Sequence, residues 1–563
     1  MSRKNVEDLY ALSPLQQGLF FHTLYAPQSG VYVEQLSCTL RGELHLAAFE
    51  HAWQQVLDRH AILRTAFIWK DLAEPVQVVR QRVKLPFHQE DWRSLASFEQ
   101  EERLDQYLKT DRARGFDLSK APLMRLALIR LGEDERQFIW TYQHLILDGW
   151  CIPIVMNEVF AFYEASSGGR TLTLERARPY RDYIAWLKRQ DLKAAEAFWR
   201  ETLKGFKAAT PLSVDKTLLT PASESDAQGD YDEHSISLSQ EMTDALGSLA
   251  RQHQLTLNTL VQGAWAMLLN CYSGEQDVLF GVTVAGRPAE LTGVESMVGL
   301  FINTLPLRVR LYAEDTLLSW LRALQEQQAE LRQYEYSPLV QVQGWSDVPR
   351  GLPLFESLLV FENYPMDATL QQRLENLTVS NLRKIERTNY PLTLLAVPGA
   401  ELSLHISYDP ARFDSETIKR MLGHLQRLLD GIINNPSQRL SDITLLTAEE
   451  QRRLLEEWND TTVDYPRGTC LHELFEQQAE RSPDSIALIF ENQHLTYQQL
   501  NHKANSLAHL LLDRGVKAES LVGLLMERSL EMVISLLAIL KAGAAYLPLD
   551  PAYPRERLSF MMK

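Results

Sequence analysis

The sequence predicts an α/β protein: two lobes with helices on mixed sheets, then a third α/β unit. Three observations lead there. Runs rich in aromatic and β-branched residues, such as FIWTYQHL (138–145), alternate with amphipathic helical runs, such as AAFEHAWQQVLDRH, up to about residue 435. A small-residue stretch, Ser166-Ser167-Gly168-Gly169, interrupts that alternation and reads as a linker. A charged, turn-rich segment ends near Asp460 to Gly468, and a new alternation follows it and runs to Lys563.

In chain order, Ser13 and Pro14 read as the cap and first turn of a helix whose buried face is Leu15, Leu19, Phe20 and Leu24. Phe49, Trp53, Val56 and Leu57 line one face of the next helix, and Arg59, His60 and Arg64 cluster at its end, as a salt bridge or a solvated basic group. A charged helix is expected around Phe98 to Arg112, with Asp117 in a turn. The stretch TYQHLILDGW (141–150) follows. Its strand-like beginning and the helical spacing of CIPIVMNEVFAFYEA after it put His144 at a strand end and Asp148-Gly149 in a turn. Alone this is weak, because a lone histidine at a strand end is more often a packed or surface residue.

PYRDYIAWLKRQ reads as a packing helix opening the second lobe, with Tyr180, Tyr183, Ile184 and Leu187 on one face. A polar, loop-like stretch runs from Ala208 to Ser235. Two helices follow, the second apolar on most sides and therefore buried. DVLFGVTVAGRP and VGLFINTLPLRVRL read as strands, and the second embeds Asn303 among apolar neighbours. A buried amide is costly unless hydrogen-bonded, so Asn303 belongs to a structural network or contacts substrate. LFESLLVFENYP, YPLTLLAV and ELSLHISYD are further strands, and SETIKRMLGHLQRLLDGIINNP is an amphipathic helix with Ser415 as its cap.

Bulk properties narrow the function. A net charge of −16 argues against nucleic acid or an anionic membrane as the main partner. Cys38, Cys151, Cys271 and Cys470 are scattered without metal or redox spacing, so no metal site is expected and a reducing, cytoplasmic setting is. The amino terminus lacks an apolar signal core. The most apolar run, MVISLLAILKAGAAYLPL, is broken by Lys541 and Gly543 and reads as a buried helix and a strand.

Several stretches together resemble the condensation domain of nonribosomal peptide synthetases. QHLILDG (143–149) resembles the family's His-His-x-x-x-Asp-Gly motif. LSPLQQGLFFH, RHAILRTAF, YRDYIAW, VGLFINTLPLR and, more loosely, YEYSPL resemble its other motifs in order. LTYQQL and LKAGAAYLPLDP resemble the first two motifs of an adenylation domain, while the later ones, including its glycine-rich phosphate loop, have no counterpart. The resemblance implies two chloramphenicol-acetyltransferase-like lobes in a V with a central tunnel, plus a truncated α/β adenylation start. It divides the chain into a possible docking segment (1–8), an N-terminal lobe (9–175), a C-terminal lobe (176–450), a linker (451–468) and an adenylation fragment (469–563).

The implied reaction is amide formation between a donor acyl or peptidyl thioester and the amine of an acceptor aminoacyl thioester. Both ride phosphopantetheine arms of carrier proteins, an upstream donor expected from another polypeptide and a downstream acceptor. No complete ATP and Mg site is expected. His144 takes or orients the amine proton, and Gly149 allows close approach of a substrate arm and offers a backbone N–H to the oxyanion. The resemblance pairs Asp148 with Arg64 as support, and Asn303 shapes the tunnel or holds a loop. Gln143 departs from the family, which has histidine there; glutamine hydrogen-bonds but does not titrate near neutrality. The rival readings are an epimerisation domain of the same fold and a non-catalytic carrier-docking or gating module.

Overall fold

A computed structural model describes residues 5–26, 30–216, 231–363 and 377–563. The chain divides into two compact units, Met1–Arg452 and Arg453–Lys563.

The strands of the first unit, in order, are Val6–Ala11 (β1), Val33–Gly42 (β2), Thr65–Ile68 (β3), Val76–Arg80 (β4), Phe87–Asp91 (β5), Met124–Arg130 (β6) and Glu135–Gln143 (β7). They continue with Asp232–Ser237 (β8), Asp277–Val284 (β9), Asn303–Arg310 (β10), Ser357–Phe361 (β11), Leu377–Ile385 (β12), Leu392–Val397 (β13) and Ser403–Tyr408 (β14). β1, β4 and β3 form a small antiparallel sheet. The first lobe is built on the sheet β12-β2-β7-β6-β5 and the second on β10-β9-β11-β13-β14-β8. Both are mixed: β5 runs parallel to β6, and β11 parallel to β9 and β13.

The helices begin where the sequence gives them a start. Ser13 accepts from Gln16 N–H, Gln16 returns the bond to Ser13 N–H, and Pro14 fills the first turn of the Pro14–Tyr25 helix. Leu19 and Phe20 are buried as expected, but Leu15 is half-buried and Leu24 exposed. Gln16 takes a buried place on that face, donating to the Leu145 carbonyl at 2.8 Å. In the Leu46–Arg59 helix, Phe49, Trp53, Val56 and Leu57 are all buried. The Cys151–Ser167 helix ends at Gly168-Gly169, where Gly169 takes a left-handed φ of 64°. The Ser415–Asn434 helix is capped one residue earlier than expected, at Asp414, and the Ser415 hydroxyl bonds His234 instead.

Two segments that follow the second lobe's first helices pack into the first lobe. β12 adds antiparallel to the edge of β2, from Leu377 opposite Gly42 to Ile385 opposite Gln35, with the register shifting between Ser380 and Arg383. Leu291, Val294, Met297, Val298, Leu300 and Phe301 enter the first lobe's core. So do Tyr180, Tyr183 and Ile184 of the helix expected to open the second lobe. The first core therefore extends past residue 176, because these rings fill the space around the 297–301 segment. The Tyr180 and Tyr183 hydroxyls donate to the Leu300 and Phe301 carbonyls. Glycine is required at this crossing. A Cβ at Gly299 would lie 2.2 Å from Tyr180, and one at Gly286 would strike the Phe301 carbonyl oxygen at 1.8 Å.

Residues 1–4 lie outside the described residues, and from Val6 onward the chain is strand β1, paired with β4, with Glu7 bound to Arg64. The polar stretch after Ala208 lies outside the described residues over 217–230.

The second unit has a hairpin, Ile486–Phe490 (β15) with Gln493–Thr496 (β16), and a parallel pair, Leu521–Leu525 (β17) with Ala545–Leu549 (β18). The expected strand-helix alternation thus contains one parallel pair and one antiparallel turn. The apolar run is the Leu530–Lys541 helix followed by β18. Among the described residues no helix is long and apolar enough to cross a membrane.

Candidate active site

β7 ends at Gln143, and one turn of 3-10 helix, His144–Ile146, carries the chain out of the sheet. The His144 N–H donates to the Tyr32 carbonyl at 2.9 Å, tying that turn to the start of β2. Nδ1 of His144 lies 2.9 Å from the Leu147 carbonyl and 3.1 Å from Glu34 Oε1. A carbonyl oxygen only accepts, so Nδ1 carries the hydrogen and a neutral ring keeps its lone pair on Nε2.

The ring stands in the wall of a cavity of about 780 Å³, with Tyr32, Glu34, Gly149, Asn303 and Glu386 also lining it. A second cavity, of about 930 Å³, is lined by Arg287, Gln328, Glu335 and Tyr336 among others. Trp150, Thr283, Ile302 and Phe361 line both, so the two abut along a shared wall.

Asp148 is fully buried and turned away from the reacting space. Its Oδ2 accepts the N–H groups of Phe301 at 2.8 Å and Ile302 at 3.3 Å, and its Oδ1 lies 3.5 Å from the Arg287 guanidinium. The expected pairing with Arg64 is therefore wrong. Arg64 is buried against the small sheet, bound to Glu7 at 2.5 Å and to the Arg80 carbonyl. Asp148 faces the 287–302 segment, and the cation supplied there is Arg287, which also covers the Phe301 ring at 4.2 Å. A buried carboxylate takes the cation its own packing partner brings.

Gln143 is fully buried and lines neither cavity; its amide donates to Thr23 Oγ1 at 3.0 Å. Gly149 lines the first cavity, and its backbone lies outside the left-handed region, so its turn does not demand glycine through φ. Asn303 spends its amide on structure: Nδ2 donates to the Glu335 and Ser337 carbonyls, each at 2.8 Å, and Oδ1 accepts Thr304 N–H.

Glu34, Arg287, Glu335 and Glu386 join the site without having been expected from the sequence. A signal for Glu34 exists there: a carboxylate inside the apolar run VYVEQL invites the argument applied to Asn303. Arg287 sits in a Gly-Arg-Pro turn that carries no such signal. Burial pushes Glu386 up, Lys384 opposes this and the nearby Glu34 adds to it. Lys384 also holds Glu362 at 2.8 Å. Burial raises Glu335, in the second cavity, to about 7. Tyr32 takes a φ of 64°, rare for a residue with a side chain, and its hydroxyl donates to Asn389 at 2.5 Å. In the second unit, Cys470, His472 and Glu473 bring ligand-type atoms within 4.8 Å of one another. Glu473 is occupied there capping the Cys470 N–H at 2.7 Å.

A lobed α/β fold with a histidine in the wall of a cavity that abuts a second one defines the class. The chain belongs to the condensation-domain family, whose model matches residues 6–455; a second family, AMP-binding enzyme, matches residues 475–563. It is 49% identical over 558 residues to a linear gramicidin synthase of Brevibacillus parabrevis, covering 99% of this chain and 11% of that protein. It is 37% identical over 565 residues to tyrocidine synthase 2 of the same organism, covering 100% of this chain and 16% of that protein. The chain thus spans a small part of the curated relatives it matches. A solved four-domain nonribosomal peptide synthetase bound to AMP and glycine shares the fold, with a TM-score of 0.78 at 21% identity over 99% of this chain and 43% of its own. The first condensation domain of the calcium-dependent antibiotic synthetase does so with a TM-score of 0.66 at 15% identity over 79% of this chain and 100% of its own.

Proposed function

We propose that this chain forms an amide between a donor acyl or peptidyl thioester and the amine of an acceptor aminoacyl thioester, in nonribosomal peptide synthesis. The observation that carries this reading is His144, with Nδ1 committed and Nε2 left as the acceptor, in the wall of a cavity that abuts a second one. The amine attacks the thioester carbon, the C–N bond forms and the C–S bond breaks. The amine proton passes to Nε2 and then to the leaving thiolate. Holding both reactants in a walled space supplies proximity and excludes competing water. Gly149 offers its N–H to the oxyanion, Asp148 holds the loop behind His144, and Asn303 fixes the second lobe's wall.

Carrier proteins deliver donor and acceptor on phosphopantetheine arms, in the cytoplasm. The second cavity suits such an arm, which carries amide groups. Gln262 Oε1 and Gln328 Nε2 both belong to residues lining it, and both atoms are buried without a hydrogen-bond partner among the described residues. The free thiols Cys38, Cys151, Cys271 and Cys470 suit a reducing compartment. In this reading residues 451–468 link the condensation domain to an adenylation fragment from 469 onward.

Intact-mass analysis of two loaded carrier proteins mixed with this chain is the test. A dipeptidyl mass on the acceptor carrier is expected. Unchanged masses, or a change in stereochemistry alone, would overturn the reading in favour of docking or epimerisation.

A further inference from the structure

We infer that Glu34 is a positioning residue for this reaction, aligning the His144 imidazole and stabilising the imidazolium that forms when Nε2 takes the amine proton. The inference rests on the amide-forming reading above.

The sheet, not side-chain chance, sets the contact. Glu34 lies in β2 directly opposite Tyr142 of β7, two residues before the turn that begins at His144. Its side chain is 2% exposed and that of His144 15%, so neither is free to swing into solvent. Oε1 sits 3.1 Å from Nδ1, and Oε2 is buried with no hydrogen-bond partner among the described residues. Burying a carboxylate this way is expensive unless a partner gains from it. A neutral imidazole gains one hydrogen bond, which the Leu147 carbonyl already supplies. An imidazolium gains an ion pair in a poorly solvated wall, where the attraction is worth far more than in water.

The other charged and titratable groups around the ring leave this role to Glu34. Tyr32 and His22 face the cavity from the start of β2 and from the Pro14–Tyr25 helix, and burial lowers the His22 pKa. Tyr142, from β7, is held well above its ordinary range by burial first and then by the neighbouring Glu34 carboxylate. Glu386 and Arg387 approach from the end of β12, with Glu386 engaged by Lys384. Among the described residues, Glu34 is the carboxylate in direct contact with the ring.

The step balances without Glu34 changing protonation. The C–N bond forms, the C–S bond breaks, the proton moves from nitrogen to Nε2 and on to the thiolate sulfur, and the carboxylate stays ionised throughout. The division of labour matches the carboxylate–histidine pair of acyl-transfer triads, in which the acid orients and stabilises the ring but does not take its proton.

Glu34→Gln keeps the shape and removes the charge. It is expected to lower kcat for amide formation roughly tenfold to a hundredfold, to leave the KM for the acceptor carrier unchanged, and to move the acid limb of the rate–pH profile to lower pH. Followed by NMR, the His144 imidazole should hold its proton less tightly in that variant than in the parent. In a His144→Ala background Glu34→Gln should cost nothing further. Equal losses in both backgrounds, or an unmoved rate profile and imidazole titration, would overturn the inference. If the parent chain makes no amide, the amide-forming reading fails, and the imidazole titration still decides the Glu34–His144 coupling. Should Glu34→Gln not melt cooperatively, Glu34→Asp carries the test. Drawing the charge back should lower kcat several-fold with the acid limb in place, and an unchanged kcat would sink the idea.

Discussion

The Asp148 carboxylate accepts the Phe301 backbone N–H at 2.8 Å, fastening the loop behind His144 to the chain segment that runs between the lobes. The same carboxylate receives the Ile302 N–H, and Ile302 lines both cavities. The placement of the histidine and the shape of the junction therefore share one anchor.

Asp148→Ala leaves Arg287 as an unpaired buried cation and strips two backbone donors of their acceptor. It should cost about 3–5 kcal/mol of stability, read as a lowered urea midpoint, and amide formation should fall with it. Asp148→Asn keeps an acceptor for Phe301 and should cost less.

Gly299→Ala should destabilise by at least about 1–3 kcal/mol. Tyr180 cannot yield to the new Cβ, because it is 1% exposed and its hydroxyl is bound to Leu300. Gly423→Ala is the control. It lies inside the Ser415–Asn434 helix with nothing within 4 Å of its added Cβ, and should gain up to about 1 kcal/mol. Thermal melts of the two variants in opposite directions would bear out the packing account.

His144→Ala should lower kcat for amide formation by about 10²–10⁴ while the melting temperature stays close to the parent's. Gln143→His, which restores the residue usual in the family, should leave the rate within a few-fold, because position 143 faces Thr23 and not the cavity. A large gain in rate would contradict that geometry.

Glu335 provides a pH signature. Burial first, then the neighbouring Glu290, raises its pKa to about 7, against the pull of Arg332. The folded state therefore holds this proton more tightly than the unfolded chain. That contribution is fully present below the ordinary carboxylate range and is lost as pH rises through about 7. Glu335→Gln should remove the loss, becoming more stable relative to the parent between pH 5 and pH 8 by on the order of 2 kcal/mol. Parallel urea titrations at the two pH values measure it, and a constant difference would refute the assignment.

Much of the architecture is legible in the sequence because local rules act locally. The Ser13-Pro14 start, the Trp53 face, the buried Leu257–Ser273 helix and the strand before His144 all follow from cap chemistry and periodicity. Strand β12 is not legible, because its alternation is carried by polar residues, LTVSNLRKI, and its place on β2 is a long-range pairing. The helix at Arg181–Leu187 is a packing helix as its periodicity predicts, but it serves the first core and not the second. Periodicity marks an apolar face without saying what meets it.

By itself the sequence determined the α/β class, the order of the elements and the presence of His144 and Asp148 on one strand–turn–helix unit. Those depend on residues near one another in the chain. Tertiary structure alone decided who pairs with whom. Arg287, not Arg64, stands beside Asp148, and Glu34, 110 residues before His144, reaches Nδ1. Coulomb attraction and hydrogen bonding act over a few ångströms of space, and only the folded sheet and the crossing 287–302 segment bring those groups within that range.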